Sequence, residues 1–381
     1  MSVRKRQWTT NRGEQREAWI VHYADQDGRP HIRTFERKKD ADEYHATVKV
    51  DIRKGMHTAP SKSITVAEAA EIWINRIKAD GRERSTIDQY RNHVGHITPK
   101  LGHVKLANLT PRGVESFRDD LLATLSRPTA RKVLTSLKSL LRVNKYAHVA
   151  ADVSIGTDRR HKRKLEAGRD LPTPAEIRRM IDSARDVRAR ALLLTAALTG
   201  LRASELRGLR WHDVDLKIGE LHVRQRADKY GKIGAPKSAS SSRTVPIDPG
   251  ALLPALKTWK LACPVGEAGL VFPSATGKAA RHEAMQSSLN PVMIAAGVVD
   301  KTGKPKYRLH AFRHFFASWC INPRERGGRE LPPKAAQALL GHSSITMTLD
   351  LYGHMFPRGD DAAELSRAVG ELLGRSKPIP A

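Results

Sequence analysis

The chain is poor in several residue types that mark particular classes of protein. Only two of its 381 residues are cysteine, and Cys263 and Cys320 show no paired spacing. Neither a disulfide framework nor a zinc ribbon is therefore expected, and a reducing cytoplasm fits this composition. No apolar run reaches about 18 residues, so we expect no membrane-spanning helix. The basic N-terminus leads into no apolar segment, and we expect no secretory signal there.

The common cofactor motifs are also missing from the sequence. No GxxxxGK[ST] loop, no GxGxxG after a strand and no HExxH helix is found. We therefore expect no nucleotide, dinucleotide or metal cofactor.

Positive charge is the most informative feature of the composition. Lysine and arginine number 67 against 40 aspartates and glutamates, a net charge of +27. Such an excess indicates a polyanionic partner, most often nucleic acid. The charge is spread along the whole chain, which argues against a single amphipathic helix on an anionic membrane. The charge by itself does not distinguish an enzyme from a protein that binds nucleic acid without catalysing a reaction.

The pattern of elements predicts a multidomain protein that is mainly α with small β-sheets (α+β). The first domain, 1–57, is predicted as a three-stranded sheet plus a helix: strands at 18–24 and 31–35, a third around Trp8, and a helix over 39–53. Such a sheet could lie in a DNA groove. A plain capping subdomain is the alternative. Residues 58–63 are predicted as a linker.

The second domain, 63–150, is predicted as a helical bundle. Thr65 and Glu68 form a capping box that opens its first helix, and Ile72, Trp73 and Ile77 give that helix an apolar face. Arg76 lies beside this face, so its charged end is expected in solvent or on DNA. Further helices are predicted over 85–96, from Pro111, and over 130–143. The basic run 159–164 is either a linker on a phosphate backbone or a solvated charge run.

The third domain, 170–381, is predicted as mixed and mainly helical. A capping box over 173–176 opens it, and the very apolar helix over 188–199 is expected at the centre of a core. Strands at 220–224 and 243–247 are joined by a polar hairpin, and helices dominate after 282. Residues 361–373 are predicted as an amphipathic tail helix, packed either on its own core or on a neighbouring subunit.

Two cationic segments of this domain are candidates for a functional site. Gly200 ends the apolar helix, and Arg202 stands at the start of the next one, with Glu205 placed to orient a neighbour. Lys237 lies on the hairpin just before a strand. Each of these residues alone is ordinary, because arginines and lysines are mostly solvated.

Two later segments add histidines and a tyrosine. His310 and Arg313 are three residues apart and share a helix face. His310 and His314 could be a metal pair, but no third ligand is evident nearby and zinc is disfavoured. His342 follows a glycine that caps a buried helix, and Tyr352 follows ten residues later.

In this order and spacing, the four segments resemble the tyrosine recombinase (phage integrase) family over residues 170–360. The matching positions are Arg202, Lys237, His310 with Arg313, His342 in the Leu340-Gly341-His342 motif, and Tyr352. The helical region 63–150 resembles the core-site binding domain of that family. Residues 1–57 resemble the arm-type DNA-binding domain of some integrases.

The resemblance implies a site-specific recombinase that cuts and rejoins DNA through a covalent 3′-phosphotyrosine. Tyr352 would be the nucleophile, and Arg202 and Arg313 would clamp the non-bridging phosphate oxygens. His310 would be the base that removes the tyrosine proton, since a phenol of pKa about 10 is a poor nucleophile when protonated. Lys237 would protonate the leaving 5′ oxygen. His342 would hydrogen-bond the phosphate, and Glu205 would orient an arginine or histidine.

The implied partners are double-stranded DNA at attachment sites and three further copies of the chain in a homotetramer. A DNA-bending host factor and an excision factor are candidate accessory partners, and the bacterial cytoplasm, at the nucleoid, is the expected location. Three rivals stay open. A type IB topoisomerase shares the tyrosine chemistry, a non-enzymatic DNA-binding protein would share the charge, and a metal-dependent transposase would be inhibited by EDTA.

Overall fold

The computed structural model describes residues 2–9, 13–25, 28–53, 63–156, 164–356 and residue 369. The chain divides into two compact units, 1–159 and 160–381. The predicted linker over 58–63, the basic run over 159–164 and the tail helix over 361–373 lie outside the described residues, apart from Ser63, Lys164 and Val369. Among the described residues, no helix is long and apolar enough to cross a membrane.

The N-terminal part of the first unit is an antiparallel sheet covered by one helix. The strands β1 (Ser2–Thr9), β2 (Gln15–Ala24) and β3 (Pro30–Phe35) lie in the order β1-β2-β3, and α1 (Lys38–Arg53) follows. Val21 and Tyr23 on the central strand pack with Ala41 and Val48 of α1. Successive side chains of a strand point to opposite faces, and Trp19, Val21 and Tyr23 share the face that packs with α1. Ala18 and Ile20, on the other face, are buried as well. This is the predicted sheet plus helix.

Over the described residues 63–156, the first unit is a bundle of four α-helices: α2 (Val66–Ala79), α3 (Arg84–Leu101), α4 (Pro111–Thr124) and α5 (Arg127–Val143). The capping box forms as predicted, since the Glu68 amide donates to Thr65 Oγ1 and the Thr65 amide donates to Glu68 Oε2. Helix α3 runs five residues beyond the predicted end at residue 96. Ile97 and Leu101 are buried, and their burial outweighs the hydrogen bond that Pro99 cannot donate.

The second unit contains eight helices among the described residues, built around one large apolar cluster. Their bounds are α6 (Pro174–Ser183), α7 (Val187–Thr199), α8 (Ala203–Gly208), α9 (Leu252–Ala262), α10 (His282–Ala295), α11 (Leu309–Ile321), α12 (Pro333–Leu340) and α13 (Ile345–Tyr352). Helix α7 is the central one, as its apolar composition predicted, because nine of its residues are buried.

Two small antiparallel sheets accompany these helices. One sheet has the order β4-β5-β8, with β4 (Val214–Asp215), β5 (Glu220–Val223) and β8 (Arg243–Pro246). The predicted hairpin between the last two carries a ribbon of its own, β6 (Arg226–Ala227) paired with β7 (Ile233–Gly234). The α+β class predicted from the sequence is confirmed. The three domain boundaries stay predictions.

Candidate active site

The outer arginine of the site, Arg202, is held at the junction of three chain segments. It is the residue before α8, where its side chain donates to Glu205 Oε1 at 2.8 Å and to the Gly341 carbonyl at 2.9 Å. A weaker contact of 3.4 Å joins it to Ser241 Oγ. About a quarter of the side chain stays exposed, so Arg202 can meet a ligand from solvent.

The inner arginine, Arg313, is buried on α11. Its two terminal nitrogens donate to the carbonyls of Gly200 and Leu340, each at 2.6 Å. These carbonyls lie at the C-terminal ends of α7 and α12, where unpaired carbonyls carry partial negative charge that favours a cation. Burial, followed by the charge of Arg202, lowers the pKa of Arg313 to about 9. The guanidinium therefore stays charged at neutral pH.

A buried carboxylate of α8 links Arg202 to Arg243, the first residue of β8. Glu205 is 2% exposed and accepts hydrogen bonds from Arg202 Nη1 and, at 2.9 Å, from Arg243 Nη2. Burial acts to raise the pKa of Glu205, but the charges and hydrogen bonds of Arg243 and Arg202 lower it below its usual value. Glu205 is ionised at neutral pH, which supports its predicted role in orienting an arginine.

The two glycines of the motifs are required by close packing as well as by backbone conformation. Gly200 and Gly341 both end helices in the left-handed region, at φ 62° and 63°. A Cβ on Gly200 would lie 2.2 Å from Phe316 Cδ1, and one on Gly341 would lie 2.9 Å from Arg243 Nη1. Any larger residue would force Phe316 or Arg243 to shift and would strain the backbone of residues whose carbonyls accept from Arg313 and Arg202.

Tyr352 is the last residue of α13 and is almost completely buried, at 1% exposure. Its hydroxyl lies 2.6 Å from His314 Nδ1 on α11. Burial raises the pKa of Tyr352 to about 12, against an opposing effect of the nearby Arg313 charge. The hydroxyl is therefore protonated at neutral pH.

Three histidines, His310, His314 and His342, lie near the inner arginine. His342 is buried, with Nδ1 2.9 Å from Thr348 Oγ1, and burial together with the nearby arginines lowers its pKa to about 4. His310 is exposed at one edge and meets the His314 ring edge-on, with centroids 4.6 Å apart. Partial desolvation and the charges of Arg313 and Arg202 lower the pKa of His310.

Lys237 is the predicted site residue that the structure leaves outside this network. It is exposed, between β7 and β8. Its neighbour Ser238 contacts Ser241 Oγ at 2.9 Å, and Ser241 in turn contacts Arg202. Lys237 is thus one residue away from the arginine network, on a segment that extends into solvent.

The sequence reading missed three residues of the network: Ser241, Arg243 and His314. Arg243 donates to the Leu339 carbonyl at 2.7 Å as well as to Glu205, and its side chain is 6% exposed. No sequence signal separates Arg243 from the chain's other lysines and arginines. His314 could be predicted as a site residue, because it follows Arg313 directly, but its spacing from His310 indicates only a weakly supported metal pair. In the described part of the chain, no three metal-ligating side chains come together.

Two rigidly held arginines beside a hydrogen-bonded tyrosine are typical of a phosphoryl-transfer enzyme in which tyrosine is the reactive group. Residues 172–358 match the phage integrase family. The tyrosine recombinase XerC-like protein of Caldanaerobacter subterraneus subsp. tengcongensis is 25% identical over 361 residues, which cover 84% of this chain and 87% of the relative. The matched region of the chain, residues 172–358, belongs to the phage integrase family of tyrosine recombinases.

Solved structures share the fold. The Tn1549 transposon integrase in complex with circular intermediate DNA has a TM-score of 0.60 at 20% identity, covering 81% of this chain and 100% of that one. A lambda integrase tetramer bound to a Holliday junction has a TM-score of 0.55 at 17% identity, covering 93% and 95%. The predicted family and enzyme class, a tyrosine site-specific recombinase, are confirmed. The roles of individual residues stay predictions.

Proposed function

We propose that this chain recombines the attachment sites of a mobile DNA element by strand cleavage and rejoining through Tyr352. One observation carries the proposal: Arg202 and Arg313 are fixed around the ends of α7 and α12, next to the helix that bears Tyr352. Two guanidinium groups, both oriented by hydrogen bonds and one of them buried, suit the extra charge of a phosphodiester transition state. The likeness to a transposon integrase supports the proposal that the DNA element is mobile.

The reaction needs no external energy source. Tyr352 Oη would bond to phosphorus as the bond from phosphorus to the 5′ oxygen breaks, leaving a 3′-phosphotyrosine and a free 5′-hydroxyl. Lys237 would supply the proton to the leaving oxygen, and its exposed segment would close on DNA to do so. His342 would hydrogen-bond the phosphate. The 5′-hydroxyl of a second strand then reverses the step on a new partner.

Two surfaces of the first unit are suited to hold the duplex. A depression of about 510 Å³ on the bundle is lined by Arg76, Arg82 and Arg142, with Trp73 at its base. On the N-terminal sheet, consecutive side chains of β1 from Arg4 to Thr9 are exposed, and Arg4, Lys5 and Arg6 are cations. We assign the first surface to core-site DNA and the second to arm-type sites, where phosphate contacts would dominate affinity.

Recombination between two duplex sites cuts and rejoins four DNA strands, and we assign one copy of the chain to each strand. A related integrase forms a tetramer on a Holliday junction, and the same assembly is proposed here. A DNA-bending host factor would bring arm and core sites together, and an excision factor would set direction. The proposed location is the bacterial nucleoid.

The test is to trap covalent adducts in cells that carry DNA of the source. Wild type and Tyr352→Phe are expressed, lysed in SDS with EDTA, and the protein-bound DNA is sequenced. Adducts in wild type alone, at a few inverted repeats, are expected. Adducts without site preference would instead indicate a topoisomerase, and recombination that leaves no adduct and is abolished by EDTA in vitro would indicate a metal-dependent transposase. Salt-sensitive binding with no adduct would leave a DNA-binding protein.

A further inference from the structure

The hydrogen bond between Tyr352 and His314 joins the proposed nucleophile to a titratable side chain. The two atoms, Tyr352 Oη and His314 Nδ1, are 2.6 Å apart, and they come from α13 and α11. The ring centroids are 5.8 Å apart. Such a distance lies within the range over which a general base can take a proton directly.

The direction of this hydrogen bond follows from the two pKa values. Burial raises the pKa of Tyr352 to about 12 and lowers that of His314 to about 4, with His310 and Arg313 adding to the second effect. At neutral pH the tyrosine is therefore protonated and the imidazole is neutral. The phenol donates, His314 accepts through Nδ1, and its remaining proton is on Nε2.

His310, the base expected from the motif, has a different position. Among the side chains that the structure describes, His314 rather than His310 is hydrogen-bonded to the Tyr352 hydroxyl. His310 is exposed and contacts the edge of the His314 ring, with an interplanar angle of 81°. This position suits a group that meets substrate from the solvent side.

We propose that His314 is the general base that takes the Tyr352 proton during attack on phosphorus. The inference rests on the proposed function. In the step, the Oη–H bond breaks and the proton moves to His314 Nδ1, while Oη bonds to phosphorus and the 5′ oxygen leaves with a proton from Lys237. When a 5′-hydroxyl attacks the adduct, its proton goes to Lys237, the bond from phosphorus to Oη breaks, and His314 returns its proton to Tyr352.

The charged groups around His314 decide how easily it accepts that proton. His310 and Arg313 on α11 oppose a positive imidazolium, and His342, before α13, lies close enough to interact with it. Asp170, before α6, favours the charged form. The bound phosphodiester adds a negative charge beside these cations, so substrate itself helps His314 to accept the proton.

The proposal predicts a specific pH profile for cleavage. Because the pKa of His314 is about 4, its imidazole is neutral around neutral pH, and the single-turnover rate of wild type is flat there. Without this base, the reaction depends on the small fraction of ionised tyrosine. That fraction rises about tenfold for each pH unit below the tyrosine pKa.

The experiment measures single-turnover adduct formation on a duplex carrying the core site recovered from trapped adducts. His314→Asn and His310→Asn are compared with wild type between about pH 6 and about pH 9. His222→Gln, on β5 and bonded to Thr244, is the matched control. We expect His314→Asn to lose about 100-fold or more at neutral pH and to gain the tenfold-per-unit slope. Imidazole should partly restore His314→Ala.

The outcomes separate this inference from the proposed function. DNA binding and thermal unfolding of each variant show whether it is folded. A folded His314→Asn that keeps a flat pH profile, even at a lower rate, would overturn the inference and leave a structural histidine. The slope appearing in His310→Asn alone would return the role to His310. If wild type forms no adduct on any DNA, the proposed function fails, and the inference fails with it.

Discussion

Removing the buried carboxylate of Glu205 should destabilise the second unit and disorder the arginine clamp. Glu205 is bonded to both Arg202 and Arg243, and the Arg243 side chain is itself buried. Glu205→Ala leaves that second guanidinium without its carboxylate, and breaking a buried pair in this way costs about 3–5 kcal/mol. At about 2–4 °C per kcal/mol for a unit of this size, the Tm should fall by roughly 6–20 °C.

The effect should depend on pH in a direction set by the lowered pKa of Glu205. Its contribution is complete above the ordinary value of 4.5 and is lost as pH falls through the lower value of the folded state. The stability gap between wild type and Glu205→Gln should therefore be widest near neutral pH and shrink in acid. Urea unfolding between about pH 3 and about pH 7 measures this gap.

A double-mutant cycle tests the pairing itself. Glu205→Met and Arg243→Met each leave a charge without this partner, whereas the double variant removes both, so it should cost less than the sum of the singles. The exposed Glu267→Ala is the control and should stay close to wild type. Additive single effects, or a Glu205→Ala variant within about 0.5 kcal/mol of wild type, would refute the reasoning.

Three further changes probe separate parts of the structure. Gly200→Ala should cost about 2–4 kcal/mol in urea unfolding and slow adduct formation, because its Cβ would meet Phe316 in a left-handed backbone. Thr348→Val should cost about 1–3 kcal/mol, since it leaves buried His342 Nδ1 without its partner. Arg142→Gln should weaken DNA binding and lower the slope of log affinity against log salt by about 0.9, measured by fluorescence anisotropy.

Each of these changes has a matched control. Gly297→Ala has a similar φ of +63° but open space around its Cβ, so it isolates the backbone cost. Thr258→Val, on the exposed surface of α9, removes a hydroxyl without unpairing a buried histidine. Asp80→Asn, in the same depression as Arg142, should strengthen DNA binding. Equal losses of stability in variant and control would contradict the packing argument for Gly200 or the hydrogen-bond argument for Thr348. Weaker DNA binding by Asp80→Asn would contradict the charge argument for Arg142.

Local chemistry in the sequence predicted most of the helices, the capped starts of α2 and α6, and the motif residues, but it did not predict α9. Capping boxes such as Thr65 with Glu68 act over three residues, so they can be read directly from the chain. The same holds for Gly200 as a helix end and Arg202 as the next helix start. The end of α3 could not be read in this way, because burial of Ile97 and Leu101 by other helices decides it.

What the tertiary structure alone decided is how these residues are held. Arg202 donates to a carbonyl 139 residues away and Arg313 to one 113 residues away, so no local pattern contains either contact. Arg243 became part of the site, and His314 became the partner of Tyr352, only when distant helices packed together. By itself, the sequence determined the residue types, the local helix caps and the charge, because these depend on neighbours within a few positions. The orientation of each side chain, and the burial that shifts its pKa, depend on segments that only the fold brings into contact.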